Sequence, residues 1–149
     1  DDVGVASARD GTTWGLDLDE GRPVWHVAAD AAGCEAPPGR PDIRPLVVAG
    51  GAVVSGSLSG CVAAFARAGG RFLWRFHDVR LGSTTARFAA DRQTVYLPFF
   101  SGRLVAVDLE TGRERWRLGE DGREFIWAPA LAGRELWLTS WAGIAAFSK

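Results

Sequence analysis

Few residues in this chain have the type and spacing to do chemistry. There are two histidines, His26 and His77, one residue after Trp25 and three after Trp74. A metal site would need more ligands close by than either has in sequence, so both read as solvated histidines near the end of a strand. "DLDEG" (Asp17 to Gly21) lacks the ligand spacing of a calcium-binding hand and reads as a polar turn. "GEDGRE" (Gly119 to Glu124) reads as a charged loop. No glycine-rich loop runs from a strand into a helix, so a nucleotide site is unsupported. No local signature sets Ser, His and Asp together, and no acid is placed as a general base. The expectation is therefore no catalytic residue, no metal ligand and no cofactor-binding residue. The two cysteines, Cys34 and Cys61, are 27 apart, unlike a zinc knuckle. They are either two buried thiols or one disulfide tying a long loop to a strand. The second reading would imply an oxidising compartment, and the sequence leaves both open.

Charge is nearly balanced, with 17 basic and 18 acidic residues, and neither sign forms a run. That argues against nucleic acid or an anionic membrane surface as partner. Apolar runs are broken every few residues, far short of the roughly 20 that a membrane helix needs. The first residues lack the basic start and apolar run of a signal peptide. The sequence holds no Met, so residue 1 reads as other than a natural start, and no Asn, so N-glycosylation is ruled out. A 16-to-1 excess of Arg over Lys suggests a GC-rich coding sequence.

A repeat positions these residues. The segments Val3 to Val27, Ala52 to Phe76, Thr94 to Leu118 and the shorter Glu135 to Lys149 align. Their first glycines, Gly11, Gly60, Gly102 and Gly143, are spaced by 49, 42 and 41. Second glycines follow ten residues later at Gly21, Gly70 and Gly112, and four residues beyond each stands a tryptophan, Trp25, Trp74 or Trp116. The longer first spacing falls in "CEAPPGRPDIRP" (Cys34 to Pro45), a proline-rich stretch unsuited to a central strand. Each unit reads as strand, turn, strand, turn, strand, with a further strand ahead of most units. Helical periodicity is absent. Four short antiparallel strands per 40-odd residues is the period of a β-propeller blade. The expected fold is all-β, a propeller segment with blades at 1–33, 43–77, 83–119 and 125–149, the first and last partial. In "AVDLETGRERW" (Ala106 to Trp116), Gly112 supplies a positive φ. Asp108 and Thr111 hydrogen-bond the turn, and Trp116 covers the neighbouring blade.

These residues resemble the tryptophan-docking repeat of quinoprotein-type propellers, the pyrroloquinoline-quinone (PQQ) repeat family, whose pattern is Ala-x-Asp-x-x-Thr-Gly-x-x-x-Trp. Ala106, Asp108, Thr111, Gly112 and Trp116 match it throughout. The first unit keeps Asp17, Gly21 and Trp25 but has Gly15 and Glu20 for the Ala and Thr. The second keeps Ala64, Gly70 and Trp74 but has Ala66 and Gly69 for the Asp and Thr. The family includes PQQ-dependent dehydrogenases. It also includes outer-membrane assembly lipoproteins and sensor domains of membrane Ser/Thr kinases, which carry the blades without the cofactor. Such propellers usually have seven or eight blades. On that pattern the first unit starts at its second strand, and the docking Trp of the last would fall near position 157, 41 past Trp116. The remainder of a longer ring, a homodimer, or a closed four-bladed ring would each complete the arc.

A PQQ dehydrogenase needs a Glu/Asn/Asp cation set, a catalytic Asp and, in one branch, a disulfide between adjacent cysteines. Without Asn or adjacent Cys, the resemblance implies the non-catalytic branch. That is a scaffold binding a protein partner or a small ligand in an extracytoplasmic setting, with a kinase sensor domain and an envelope assembly factor as the candidate parents. The alternative is a piece of a dehydrogenase using PQQ with Ca²⁺. The candidate binding face is the set of blade-to-blade loops and second-to-third-strand turns. His77, Asp78, Arg80, Phe125 and Trp127 come from the loops; Arg9, Asp10, Phe100 and Trp141 come from the turns. Trp127, Trp141, Phe100, His77 and Arg80 head the list, because aromatics with Arg commonly anchor interfaces.

Overall fold

The computed structural model describes residues 2–28, 30–34, 45–84, 87–119, 129–140 and 143–148. Trp127, Trp141 and Phe125 lie outside the described residues, as does nearly all of the proline-rich stretch. The described chain is all-β apart from one 3₁₀ turn, Val79–Leu81. Its strands form four antiparallel sheets. The first contains β1 (Val3–Ser7), β2 (Thr13–Asp17) and β3 (Pro23–Val27) in that order. The second contains β4 (Leu46–Ala49), β5 (Ala52–Gly56), β6 (Val62–Ala66) and β7 (Phe72–Phe76). The third contains β8 (Ala89–Ala90), β9 (Thr94–Pro98), β10 (Leu104–Asp108) and β11 (Glu114–Leu118). The fourth contains β12 (Ala130–Ala132), β13 (Glu135–Ser140) and β14 (Gly143–Ser148). This is the up-and-down order of propeller blades, and the all-β propeller expectation holds.

The middle strands are buried on both faces, so alternate residues serve different neighbours. Val54, Val62 and Ala64 of the second sheet pack with Val95, Leu97, Val105 and Val107 of the third. One residue out of phase, Ala63 and Phe65 turn the other way, to Cys34, Ala32 and Val27 of the first repeat. Tyr96, Leu104 and Ala106 likewise meet Leu136 and Leu138 of the fourth sheet. The core therefore lies between the sheets rather than within any one of them. That is why a single repeat cannot bury its own apolar surface.

The first and third repeats carry the same Asp-capped turn, and the second, with Ala66 in place of the Asp, keeps only the return of the glycine N–H to the carbonyl four residues back. Asp108 Oδ1 accepts the backbone N–H of Thr111 at 2.8 Å, that of Glu110 at 3.1 Å and the Thr111 hydroxyl at 2.8 Å. Asp17 Oδ1 accepts from Asp19 at 2.9 Å and Glu20 at 3.0 Å. Gly112, at φ 71°, then lets its N–H return to the Asp108 carbonyl at 2.9 Å. In each of three sheets a small residue, Gly15, Ala64 or Ala106, pairs directly with Trp25, Trp74 or Trp116. A register shift follows that pair at the same place each time, a recurring β-bulge that turns the strand.

The tryptophans reach forward to the next repeat. Trp25 Nε1 donates to the Arg67 carbonyl at 2.9 Å, and its ring lies over Gly70. Trp74 Nε1 donates to the Leu109 carbonyl at 2.8 Å, and its ring lies over Gly112. Trp74 is only 6% exposed. Trp116 differs. It is 41% exposed, and its ring stands 5.9 Å from that of Tyr96. Arg67 and Leu109 each precede a second glycine by three residues.

The fourth repeat also departs from the sequence alignment. In the first three hairpins the aligned glycine sits in the turn, its N–H bonded to a carbonyl three residues back at 3.0 Å. Gly143 instead pairs across the strands with Ser140. The hairpin is thus shorter by register, and aligned positions of β10 and β14 do not share partners.

Candidate functional site

Around the 3₁₀ turn, three chain segments meet at one end of the second and third sheets. Asp78 caps the turn, accepting the Arg80 N–H at 3.1 Å. Downstream, the Thr84 hydroxyl donates to the Ser57 carbonyl at 2.9 Å, and the Ser83 hydroxyl donates to the Leu58 carbonyl. Both acceptors belong to the β5–β6 turn. Gly60 of that turn comes so close that a Cβ would stand 2.0 Å from the Gly82 carbonyl oxygen; only glycine permits the approach. On the other side, the Phe100 N–H donates to the Ser83 carbonyl at 3.0 Å. The β5–β6 turn, the inter-blade loop and the β9–β10 turn are therefore hydrogen-bonded into one surface.

Arg80 and Phe100, two of the sequence candidates, are joined by this surface. His77 is exposed and immediately precedes the capping Asp78. Arg9 and Asp10 are exposed on the β1–β2 turn, where Asp10 accepts the Thr12 N–H at 2.9 Å; among the described residues neither is bonded to this surface. Two apolar side chains stand out on it, Val79 at 78% and Phe100 at 50% exposure.

Beneath lies a charge cluster that the sequence did not reveal. Asp78 Oδ1 and Oδ2 hold Arg80 Nε at 2.9 Å and Nη2 at 2.8 Å, a two-point fork. Oδ2 also receives Arg117 Nη1 at 3.2 Å. Arg117 Nε in turn donates to Glu114 Oε1 at 2.7 Å. The Arg80 hydrogen bond, with help from Arg117, holds the Asp78 carboxyl well below the usual range against the opposing effect of burial. The bond to Glu114 raises Arg117 further above its ordinary value. Glu114 and Arg117, three apart on one strand, could have been paired from sequence; Asp78 and Arg117 could not. Arg80, Leu81, Arg103 and Arg117 wall a cavity of about 280 Å³.

A larger cleft, about 450 Å³, lies between the first two repeats beside Asp2, Asp17, Val24, Gly50 and Arg67. Arg67 Nε donates there to the Val3 carbonyl at 2.9 Å, and the Arg67 carbonyl is the one Trp25 engages. Its polar groups thus serve the packing of one repeat on the next. Among the described residues no three His, Cys, Asp or Glu side chains converge as a metal site would need. Cys34 and Cys61, left open by the sequence, form a disulfide, with Cα atoms 5.4 Å apart.

Antiparallel sheets of three or four strands packed on one another, with turns and inter-blade loops gathered at one end, define a repeat-built propeller scaffold. Residues 1–124 match the family of PQQ-like propellers described as outer membrane protein assembly factor BamB, and the chain belongs to that family. BamB from Moraxella catarrhalis superimposes with a TM-score of 0.78 at 25% identity over 98% of this chain. The overlap is 42% of BamB, so this chain spans less than half of that protein's length. The computationally designed Ika4 protein matches with a TM-score of 0.78 at 18% identity, over 99% of this chain and 86% of its own. Quinohemoprotein alcohol dehydrogenase from Comamonas testosteroni matches with a TM-score of 0.73 at 16% identity, over 93% of this chain and 27% of its own. The last two likenesses show the fold alone. No curated protein matches the sequence.

Proposed function

We propose that this chain is a non-catalytic propeller scaffold that binds a protein partner in the cell envelope, as an assembly factor does. The observation that carries the reading is the hydrogen-bonded surface of the inter-blade loop and the β9–β10 turn, with Val79 and Phe100 held outward on it. Exposed apolar side chains fixed on rigid turns beside arginines are the composition of an interface anchor. The Trp25 and Trp74 contacts act as docking clasps that keep such a surface in shape. Three further observations support the reading: membership of the BamB-described family; the Cys34–Cys61 disulfide, a bond that persists in oxidising compartments; and the lack of any described helix long and apolar enough to cross a membrane. The same blades would serve the sensor domain of a membrane kinase, with a different partner on the same face. On this reading the scaffold takes up neither PQQ nor Ca²⁺.

Photocrosslinking in the native cell tests this directly. A photoreactive residue at Val79 or Phe100 should yield one discrete adduct, containing a component of outer membrane protein assembly. The same residue at Phe72, exposed on the outer strand β7, should not. Identical adducts at all three positions would sink the reading. So would stoichiometric uptake of PQQ with Ca²⁺, followed by absorbance, which would restore the dehydrogenase alternative.

A further inference from the structure

The turn that follows β2 is built like the two turns that receive an indole. From this likeness we propose that Leu18 to Gly21 form a seat for the tryptophan side chain of a partner, presented on an extended strand. The backbone of the three turns is pinned at the same points. Gly21, Gly70 and Gly112 stand at φ 66°, 69° and 71°. Each glycine N–H returns to the carbonyl four residues back, at 2.9 Å for Gly21, 2.8 Å for Gly70 and 2.9 Å for Gly112. Three residues before each glycine, the N–H of Leu18, Arg67 or Leu109 donates to the carbonyl of Asp2, Gly51 or Gln93, at 3.1, 2.8 or 2.9 Å. The Leu18 carbonyl therefore takes the place that the Arg67 and Leu109 carbonyls hold in their own turns. Those two accept Trp25 Nε1 at 2.9 Å and Trp74 Nε1 at 2.8 Å. The Leu18 carbonyl accepts no bond among the described residues. The glycines repeat the contrast. A Cβ on Gly70 would meet the Trp25 ring at 2.8 Å, and one on Gly112 the Trp74 ring at 2.6 Å. On Gly21 it would meet no described atom within 4 Å. Leu109, in the turn that Trp74 engages, is 6% exposed, whereas Leu18 is 60% and Val24 on β3 is 45% exposed. Such side chains give an incoming strand apolar surface to cover. Both seated indoles are carried by strands, β3 and β7, which favours a strand-borne tryptophan over a free indole. Val79 and Phe100 are not part of this seat, so the two sites can fail independently.

The test uses the whole chain and the peptide acetyl-Pro-Val-Trp-His-Val-amide, which has the sequence of β3, followed by backbone NMR. The amide signals of Asp19 and Gly21 should shift saturably. The same peptide with 1-methyltryptophan keeps the ring but loses the N–H donor, and should bind about three- to tenfold more weakly. Gly21→Ala puts a Cβ where the ring must lie and should abolish binding. Gly133→Ala, at φ 59° with no described atom within 4 Å of a Cβ, carries the same backbone strain elsewhere and should leave binding unchanged. Absence of saturation at about 10 mM peptide, equal binding of the methylated peptide, or an equal loss in both glycine variants would overturn the proposal. Free indole binding as tightly as the peptide would make the seat a small-molecule site and overturn the strand-borne occupant. A Gly21 signal that shifts with protein concentration alone would assign the seat to a second copy, and would overturn it likewise. Crosslinks at Val79 and Phe100 would stand in each case.

Discussion

Gly112 carries two constraints at once. Its φ of 71° disfavours any side chain, and a Cβ would meet the Trp74 ring at 2.6 Å. Gly21 has the same backbone, at φ 66°, but nothing within 4 Å. Gly21→Ala should therefore cost only the left-handed backbone term, about 1–2 kcal/mol. Gly112→Ala should cost that plus displacement of the indole, about 1–3 kcal/mol more. Denaturant unfolding of the two variants measures the difference; equal losses would mean that the ring does not press on the turn. The acids make a second test. Asp78 is held ionised chiefly by its Arg80 hydrogen bond, and Asp108 chiefly by its Arg115 hydrogen bond at 2.6 Å. Both folded values are depressed, so their stabilisation is full above the unfolded carboxylate value of about 3.9 and drains away as pH falls below it. Stability should drop between about pH 4 and pH 2, less steeply in Asp78→Asn and Asp108→Asn, as read by denaturant midpoints at stepped pH.

Elements hold to each other here through side chains of alternate phase and through one covalent link. Cys34 follows the outermost strand of the first sheet, and Cys61 immediately precedes β6 of the second. Both are buried with Ala63 and Phe65. The bond thus staples one blade to the next at a place where Arg75 also reaches the Ala32 carbonyl at 3.3 Å. Closing a loop of 27 residues should contribute about 3 kcal/mol. Thiol reductant should lower the Tm of the wild-type chain and leave a Cys34→Ala/Cys61→Ala double variant unmoved. A wild-type Tm indifferent to reductant would remove the staple from the account.

At the scale of the whole molecule, every described sheet has two edge strands paired on one side only, β1 and β14 among them. The Ala8–Thr12 and Leu18–Asp2 backbone bonds show that the even-numbered residues of β1 face β2. Val3, Val5 and Ser7 therefore present their backbone groups outward, where Arg67 already takes the Val3 carbonyl. At the far end β14 is paired on one side only, and Ile144 is 71% exposed. Such edges invite strand pairing, and a net charge of −1 opposes it weakly. At micromolar concentration, light scattering should give a mass above that of one chain. Val5→Pro with Ile144→Lys should return it to one. A wild-type monomer would remove edge pairing.

The repeat made the fold legible before any coordinates. Strand period, turn glycines and docking tryptophans recur at fixed offsets, and each is a local property of the backbone. Arg80 and Phe100 could be picked out as loop and turn residues for the same reason, but not as neighbours. What needed the tertiary structure was everything that joins distant segments. The Asp78–Arg117 pair, the arrival of Arg103 beside them, the closure of the disulfide and the exposure of Trp116 each depend on which sheet stands next to which. The one-residue difference in the last hairpin had the same origin: pairing register is set between strands, and a repeat written along one strand does not contain it.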